Sequence, residues 1–405
     1  SLMDLHTLIG YFVRDDAAFV GLGIPSIRSY IKEAQAMDPE SLSPEHLFDL
    51  MDQVAVRRTR KFVKDFYPND EITLPDGSKA TIRFPTPRTH RIDYTLDDAG
   101  EALLDAMIYA LTIPDGAPLV SAHADRQADP DRLILARYTP SAYLLDGDLA
   151  NYQISNSGLL RSALLKRLES SPAALRRTLG TLIAGHRQFL DALDQGFVLN
   201  GTALRDWTGS EDEDLEHWVA ELDIDSIDGV SRTTEYHYQD LRTDVQTDLA
   251  LLERLQRKAD AACAGTDPKA ERLIAELRSV AEQARHIDRS GLPGSARRKV
   301  LIFSSYADTI DDISQRVSDA VKSAPESDPL SDYAGRIPDA IKGQKTGIDQ
   351  GQRARVLAGF APETAGKLDS DGRPLSADEY DLLFTTDVLS EGVNLQQAGR
   401  IINYD

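Results

Sequence analysis

Ser304 and Ser305 stand directly after the apolar run Val300-Leu301-Ile302-Phe303, and Thr385, Thr386 and Asp387 directly after Leu382-Leu383-Phe384. Short continuous apolar runs of this kind fit strands buried on both faces of a parallel sheet. In such sheets ligands collect beyond the carboxyl ends of the strands, where loop amides are free and helices begin. Short hydroxyls beside free amides suit phosphate oxygens, because they donate hydrogen bonds and surrender little side-chain entropy. The same hydroxyls also serve as helix N-caps, and residue type alone leaves both roles open.

The stretch Thr385 to Gln396 carries more polar chemistry than packing requires. Glu391 and Gly392 break the apolar pattern close to the sheet, and Asn394 and Gln396 are polar where the chain heads for its next strand. Such a string fits a nucleotide ribose or a sugar-phosphate backbone. Other chemistries find little support. The eight histidines are scattered without metal-ligand spacing, and the single Cys263 permits neither a disulfide framework nor a multi-cysteine metal site. Gly343-Gln344-Lys345-Thr346 has the letters of a phosphate loop without its glycine spacing or a buried strand before it.

The chain has 405 residues, with 45 Lys and Arg against 66 Asp and Glu, a net charge of −21. That length allows several domains with substantial cores. The acidic total opposes uniform attraction to nucleic acid, but the charge is uneven. Ten acidic residues and no Lys or Arg lie between Asp206 and Asp228, flanking Trp207 and Trp218. This block lacks the alternation and glycine of a calcium loop and reads as a solvated surface. Basic residues gather instead at Arg57, Arg58, Arg60, Lys61 and Lys64, and again at Arg161, Lys166, Arg167, Arg176, Arg177 and Arg187. A basic groove on an acidic protein follows as an expectation. No apolar run would cross a bilayer and the start has no secretory pattern, so no membrane partner and a cytoplasmic location are expected.

The elements that must position these residues change character along the chain. Leu5, Leu8, Ile9 and Phe12 are spaced for one helical face, and Leu47, Leu50, Met51 and Val54 for another. Segments 71–74 and 80–84 flank Pro75-Asp76-Gly77-Ser78, which predicts a β-hairpin. From about 102 to 284 the pattern is helical, with stripes such as Leu160, Leu164, Leu165 and Leu168, a restart at Ser171-Pro172, and Leu241, Val245, Leu249, Leu252 and Leu255. The last third alternates β and α. Segment 323–351, rich in Pro, Gly, Ser and Asp, reads as an exposed loop.

Leu301 to Thr309 (LIFSSYADT) and Leu382 to Asp405 (LLFTTDVLSEGVNLQQAGRIINYD) resemble motifs IV and V of superfamily-two helicases and translocases, in the Swi/Snf-like branch. Arg353 and Phe360 resemble that family's Arg and Phe before the motif V strand. Val54 to Phe62 (VAVRRTRKF) is similar to its paired-arginine segment, and the opening SLMDLHTLIGYF to the helix after motif III.

The resemblance implies an α/β fold of two RecA-like lobes that sandwich ATP with Mg and move along double-stranded DNA. It divides the chain into the distal part of lobe 1 (1–115), a helical insertion with the acidic loop (116–265), and lobe 2 as far as motif V (266–405). Ser304, Ser305, Thr385, Thr386 and Arg353 would hold the tracking strand; Glu391, Gly392 and Asn394 would lie nearer the nucleotide. Asn394 stands where many relatives have Asp. Arg57 and Arg58 would position the first lobe or simply lie on a solvated surface. Arg176 and Arg177 are expected to grip duplex backbone. The family's Walker loop, Mg-binding acid and arginine motif are not among these residues, so this chain alone is expected not to hydrolyse ATP. The alternative is a helicase-like scaffold that binds a protein partner through the helical insertion.

Overall fold

The computed structural model describes residues 2–36, 48–55, 71–73, 79–81, 86–114, 129–147, 150–200, 229–286, 294–342, 350–367, 374–386, 389 and 393–405. It divides into Ser1–His90 and Arg91–Asp405. The expected boundaries at 115/116 and 265/266 both fall inside the second unit.

In the first unit, helices α1 (Leu2–Gly10), α2 (Ile27–Ala36) and α3 (Phe48–Val54) precede the antiparallel strands β1 (Glu71–Thr73) and β2 (Lys79–Thr81). Ile9, Ile24, Ile27, Ile31 and Leu50 form its core. Phe12 does not join them, because α1 stops at Gly10 and leaves Phe12 80% exposed. The Asp16 carboxylate accepts from Ser26 Oγ at 2.5 Å and from the Arg28 amide at 3.0 Å, tying the loop to the start of α2.

The second unit is mostly helical. It contains α4 (Asp98–Leu111), α5 (Asn151–Ser170), α6 (Pro172–Asp194), the antiparallel strands β3 (Phe197–Asn200) and β4 (Gly229–Arg232), α7 (Tyr238–Ala264) and α8 (Pro268–Arg285). Ser171 ends one helix and starts the next: its hydroxyl accepts from the Ala174 amide at 3.0 Å, and Pro172 needs no amide donor at the first helical position. The leucine stripes close a core that includes Leu160, Leu164, Leu179, Leu182, Leu252 and Leu255, while Leu165 faces outward. Strands β3 and β4 interrupt the expected helical run. Gly196, at φ +91°, turns the chain out of α6, and Val198 and Leu199 then pack with Tyr143, Phe189 and Leu241.

Buried polar groups tie irregular chain to these helices. Asp248 on α7 is fully buried and accepts from the amides of Ile134 (2.7 Å) and Ala136 (2.9 Å), between which Leu135 sits at φ +64°. One turn earlier Asp244 accepts from Tyr143 Oη at 2.6 Å. His186 on α6 is fully buried with Nδ1 2.7 Å from the Leu182 carbonyl. Burial, with the positive Arg137 nearby, pushes its imidazole down to about 3.

After the short helix α9 (Gly294–Arg297) come β5 (Val300–Phe303), α10 (Ala307–Ser323), α11 (Gln350–Phe360), β6 (Leu382–Thr385) and β7 (Arg400–Asn403). The strands form a parallel sheet in the order β6-β5-β7, with Val300 opposite both Leu382 and Arg400. Alternation sends Val300, Ile302, Leu382 and Phe384 toward α8 and α10, and Leu301 and Leu383 toward Val356, Leu357 and Phe360 of α11. Helices on both faces explain why Val300–Phe303 and Leu382–Phe384 are apolar throughout. Within the segment expected to be an exposed loop, a 3-10 turn at Pro329–Tyr333 buries Leu330 and Tyr333. Among the described residues no helix is long and apolar enough to cross a membrane.

At the amino end of β5, Lys299 is fully buried and donates to Asp378 Oδ1 (2.6 Å) and the carbonyls of Phe360 (2.6 Å) and Tyr380 (2.7 Å). Lys299→Met leaves these acceptors without their donor and is expected to cost about 3 kcal/mol in urea unfolding; an unchanged midpoint would contradict this role. A second prediction concerns acid. The unfolded chain protonates His186 near its ordinary 6.5, whereas the folded chain resists until about 3. Stability therefore falls as pH drops through that window, by at most ~1.4 kcal/mol per pH unit from this group. The His186→Gln variant should show the shallower decline when unfolding midpoints are compared over the same range.

Candidate functional site

The carboxyl ends of β5 and β6 lie side by side. Phe303 is opposite Thr385, and the Ser304 amide donates to the Thr385 carbonyl at 3.3 Å. Ile341 runs parallel beside Thr385, and its carbonyl accepts from the Thr386 amide at 3.2 Å. The two hydroxyl clusters singled out in the sequence thus share one end of the sheet.

Their members differ in what they offer. Ser304 is 2% exposed, and its hydroxyl lies 2.9 and 3.1 Å from the two carboxylate oxygens of Asp405 while accepting from the Tyr306 amide at 3.2 Å. Thr385 is fully buried, and its hydroxyl donates to the Thr386 carbonyl at 2.9 Å. Both hydroxyls are occupied within the protein, unlike the phosphate-facing arrangement expected for them. For Ser304 the reason is the neighbouring strand, since β7 delivers Asp405 to the end of β5; for Thr385 it is the adjacent backbone. Ser305 is exposed, with its amide also donating to Asp405, and Thr386 is half-buried at the mouth.

The corner between α5 and α6 completes the surroundings. Ser170 Oγ donates to Asp405 Oδ1 at 2.5 Å and lies 3.3 Å from Ser304 Oγ and 2.7 Å from Thr309 Oγ1. Ser171 Oγ lies 2.9 Å from the same Thr309 hydroxyl. Asp308, in the first turn of α10, pairs with Arg167 at 3.3 Å and Arg177 at 2.7 Å. The Arg167 guanidinium stacks 4.2 Å from the centre of the Tyr306 ring. Lys269 caps the end of α5 by donating to the carbonyls of Glu169 (2.7 Å) and Ser170 (3.0 Å), and its ammonium lies 4.3 Å from the Tyr404 ring centre. Burial lowers the Lys269 pKa from its ordinary value, with Asp405 pulling the other way.

The expected basic grip on the helical region is mostly engaged internally. Arg161 donates to the carbonyls of Leu133 and Leu111, and Arg187 pairs with Glu253 at 2.7 Å. Arg177, although 59% exposed, is held by Asp308, whereas Arg176 is exposed. Arg353 is half-buried on α11. Asn394 is exposed; its carbonyl accepts from Thr364 Oγ1 at 2.8 Å and its side-chain oxygen from the Gln396 amide at 3.3 Å. Arg57, Arg58, Glu391 and Gly392 lie outside the described residues. Among the described residues no group of three metal-ligating side chains could hold an ion, and Asn394 is turned onto its own backbone.

Ser170, Thr309, Asp308 and Asp405 are the site residues that sequence reasoning passed over. Asp308 and Thr309 lie in the Leu301–Thr309 stretch, Asp405 ends the Leu382–Asp405 stretch and Ser170 precedes the helix restart at Ser171-Pro172, but nothing in the sequence joined them as partners. Their arrangement assigns separate roles to the adjacent serines. Ser304→Ala should cost about 1–3 kcal/mol in urea unfolding, because it strips a buried hydrogen-bonded hydroxyl, whereas Ser305→Ala should stay within about 0.5 kcal/mol. Equal effects would undo that distinction.

Comparison of the chain with protein-family models, curated proteins and solved structures finds no match.

Proposed function

We propose that this chain is part of an ATP-dependent translocase acting on double-stranded DNA, and that the carboxyl end of its parallel sheet contacts the phosphates of the tracked strand. One observation carries this reading: the exposed Ser305 and the half-buried Thr386 sit together on the joined ends of β5 and β6. Phosphates recognised at such a position would be met by a hydroxyl and nearby amides. The motif IV and V resemblance supports the same function. The nucleotide and its Mg would be held chiefly by other parts of a longer protein, and no catalytic residue is assigned here.

A second reading, a scaffold that binds a protein partner, is favoured by the helical region itself. Several of its arginines are engaged internally, while Leu159 and Leu165 on α5 are 43% and 40% exposed.

Anisotropy titrations with a fluorescent DNA duplex separate the two. The translocase reading expects salt-dependent binding, weakened roughly threefold or more by Thr386→Ala and further by the charge-opposing Ser305→Glu. Binding indifferent to salt and to both substitutions would remove it.

A further inference from the structure

The donors at the end of β5 converge on a single negative group. The Ser305 amide and the Ser170 hydroxyl donate to the Asp405 carboxylate, and the Ser304 hydroxyl lies within hydrogen-bond reach of both its oxygens. Amides and hydroxyls meeting on one oxyanion make an anion nest, and here the anion belongs to the chain. We propose that Asp405 and the α5–α6 corner form an internal stopper over this nest, and that a nucleic-acid phosphate reaches it only when the corner lifts.

This inference rests on the DNA reading above and adds a condition to it. A phosphate arriving with the corner in place would meet an Asp405 carboxylate that already uses these donors. Two anions drawn to the same donors repel each other, the more so where water is scarce. The contacts holding the corner are polar: Ser170 and Ser171 on Thr309, Arg167 and Arg177 on Asp308, and the Lys269 cap. The apolar core of α4 to α7 and that of α8, α10 and the sheet are separate clusters, so lifting the corner need not open either one. Polar junctions of this kind permit relative motion more readily than apolar ones. Release from Asp308 would also let Arg167 turn toward the arriving phosphate.

The Ser170 and Thr309 hydroxyl oxygens are 2.7 Å apart, which brings thiols at these positions within reach of a disulfide. The test uses the full chain carrying Ser170→Cys and Thr309→Cys with Cys263→Ser, titrated against a fluorescent DNA duplex before and after reduction. The oxidised form should bind at least about tenfold more weakly, with reductant restoring affinity. Asp405→Ala and Asp308→Asn, which loosen the stopper without a cross-link, should each bind more tightly than the parent chain. Equal binding by oxidised and reduced forms, or unchanged affinity in both loosened variants, overturns the stopper while DNA binding stands. Absence of binding in every form, the loosened variants included, overturns both the stopper and the DNA reading.

Discussion

The Asp405 carboxylate at the end of β7 is the point on which the site depends. It accepts from the Ser305 amide and the Ser170 hydroxyl and contacts the Ser304 hydroxyl, so one side chain joins the sheet to the α5–α6 corner. This is possible only because β7 pairs in parallel with β5, which places both carboxyl ends on the same side. Helices on both faces bury β5 and β6 and define their register, while β7 leaves Ile401 exposed at the edge of the sheet.

Charge is distributed to serve the same junction. Asp308 gathers two arginines from neighbouring helices, and one of them, Arg167, is itself nearly buried. A guanidinium removed from water needs a fixed acceptor, and the first turn of α10 supplies one where its amides also favour negative charge. The strongly acidic composition therefore does not describe the local field. What matters is which carboxylates lie within reach of each arginine.

Much of the architecture was readable because it depends on local pattern. Helix stripes such as Leu175, Leu179 and Leu182 follow the helical period, and Val300–Phe303 and Leu382–Phe384 of the parallel sheet are continuous apolar runs. The antiparallel pair β3–β4 escaped because Phe197–Asn200 directly follows a long helix and Gly229–Arg232 contains one apolar side chain. The turn at Pro329–Tyr333 escaped because its polar composition hides two buried residues. At the site, the location of Ser304 and Thr385 was legible and the direction of their hydroxyls was not. Ser304 meets a carboxylate 101 positions further along, a pairing that no nearby residue announces.

The attachment of the Ile134–Ala136 backbone to Asp248 bears on how the chain assembles. Its two hydrogen bonds connect positions 114 and 112 residues apart, and the segment they hold includes a left-handed leucine. A conformation of that kind is unfavourable alone and is held by its surroundings. Closing so wide a chain interval carries an entropic cost before the contacts form. These bonds cannot form before Asp248 of α7 is in place, so the joint closes well after residues 134–136 have been synthesised.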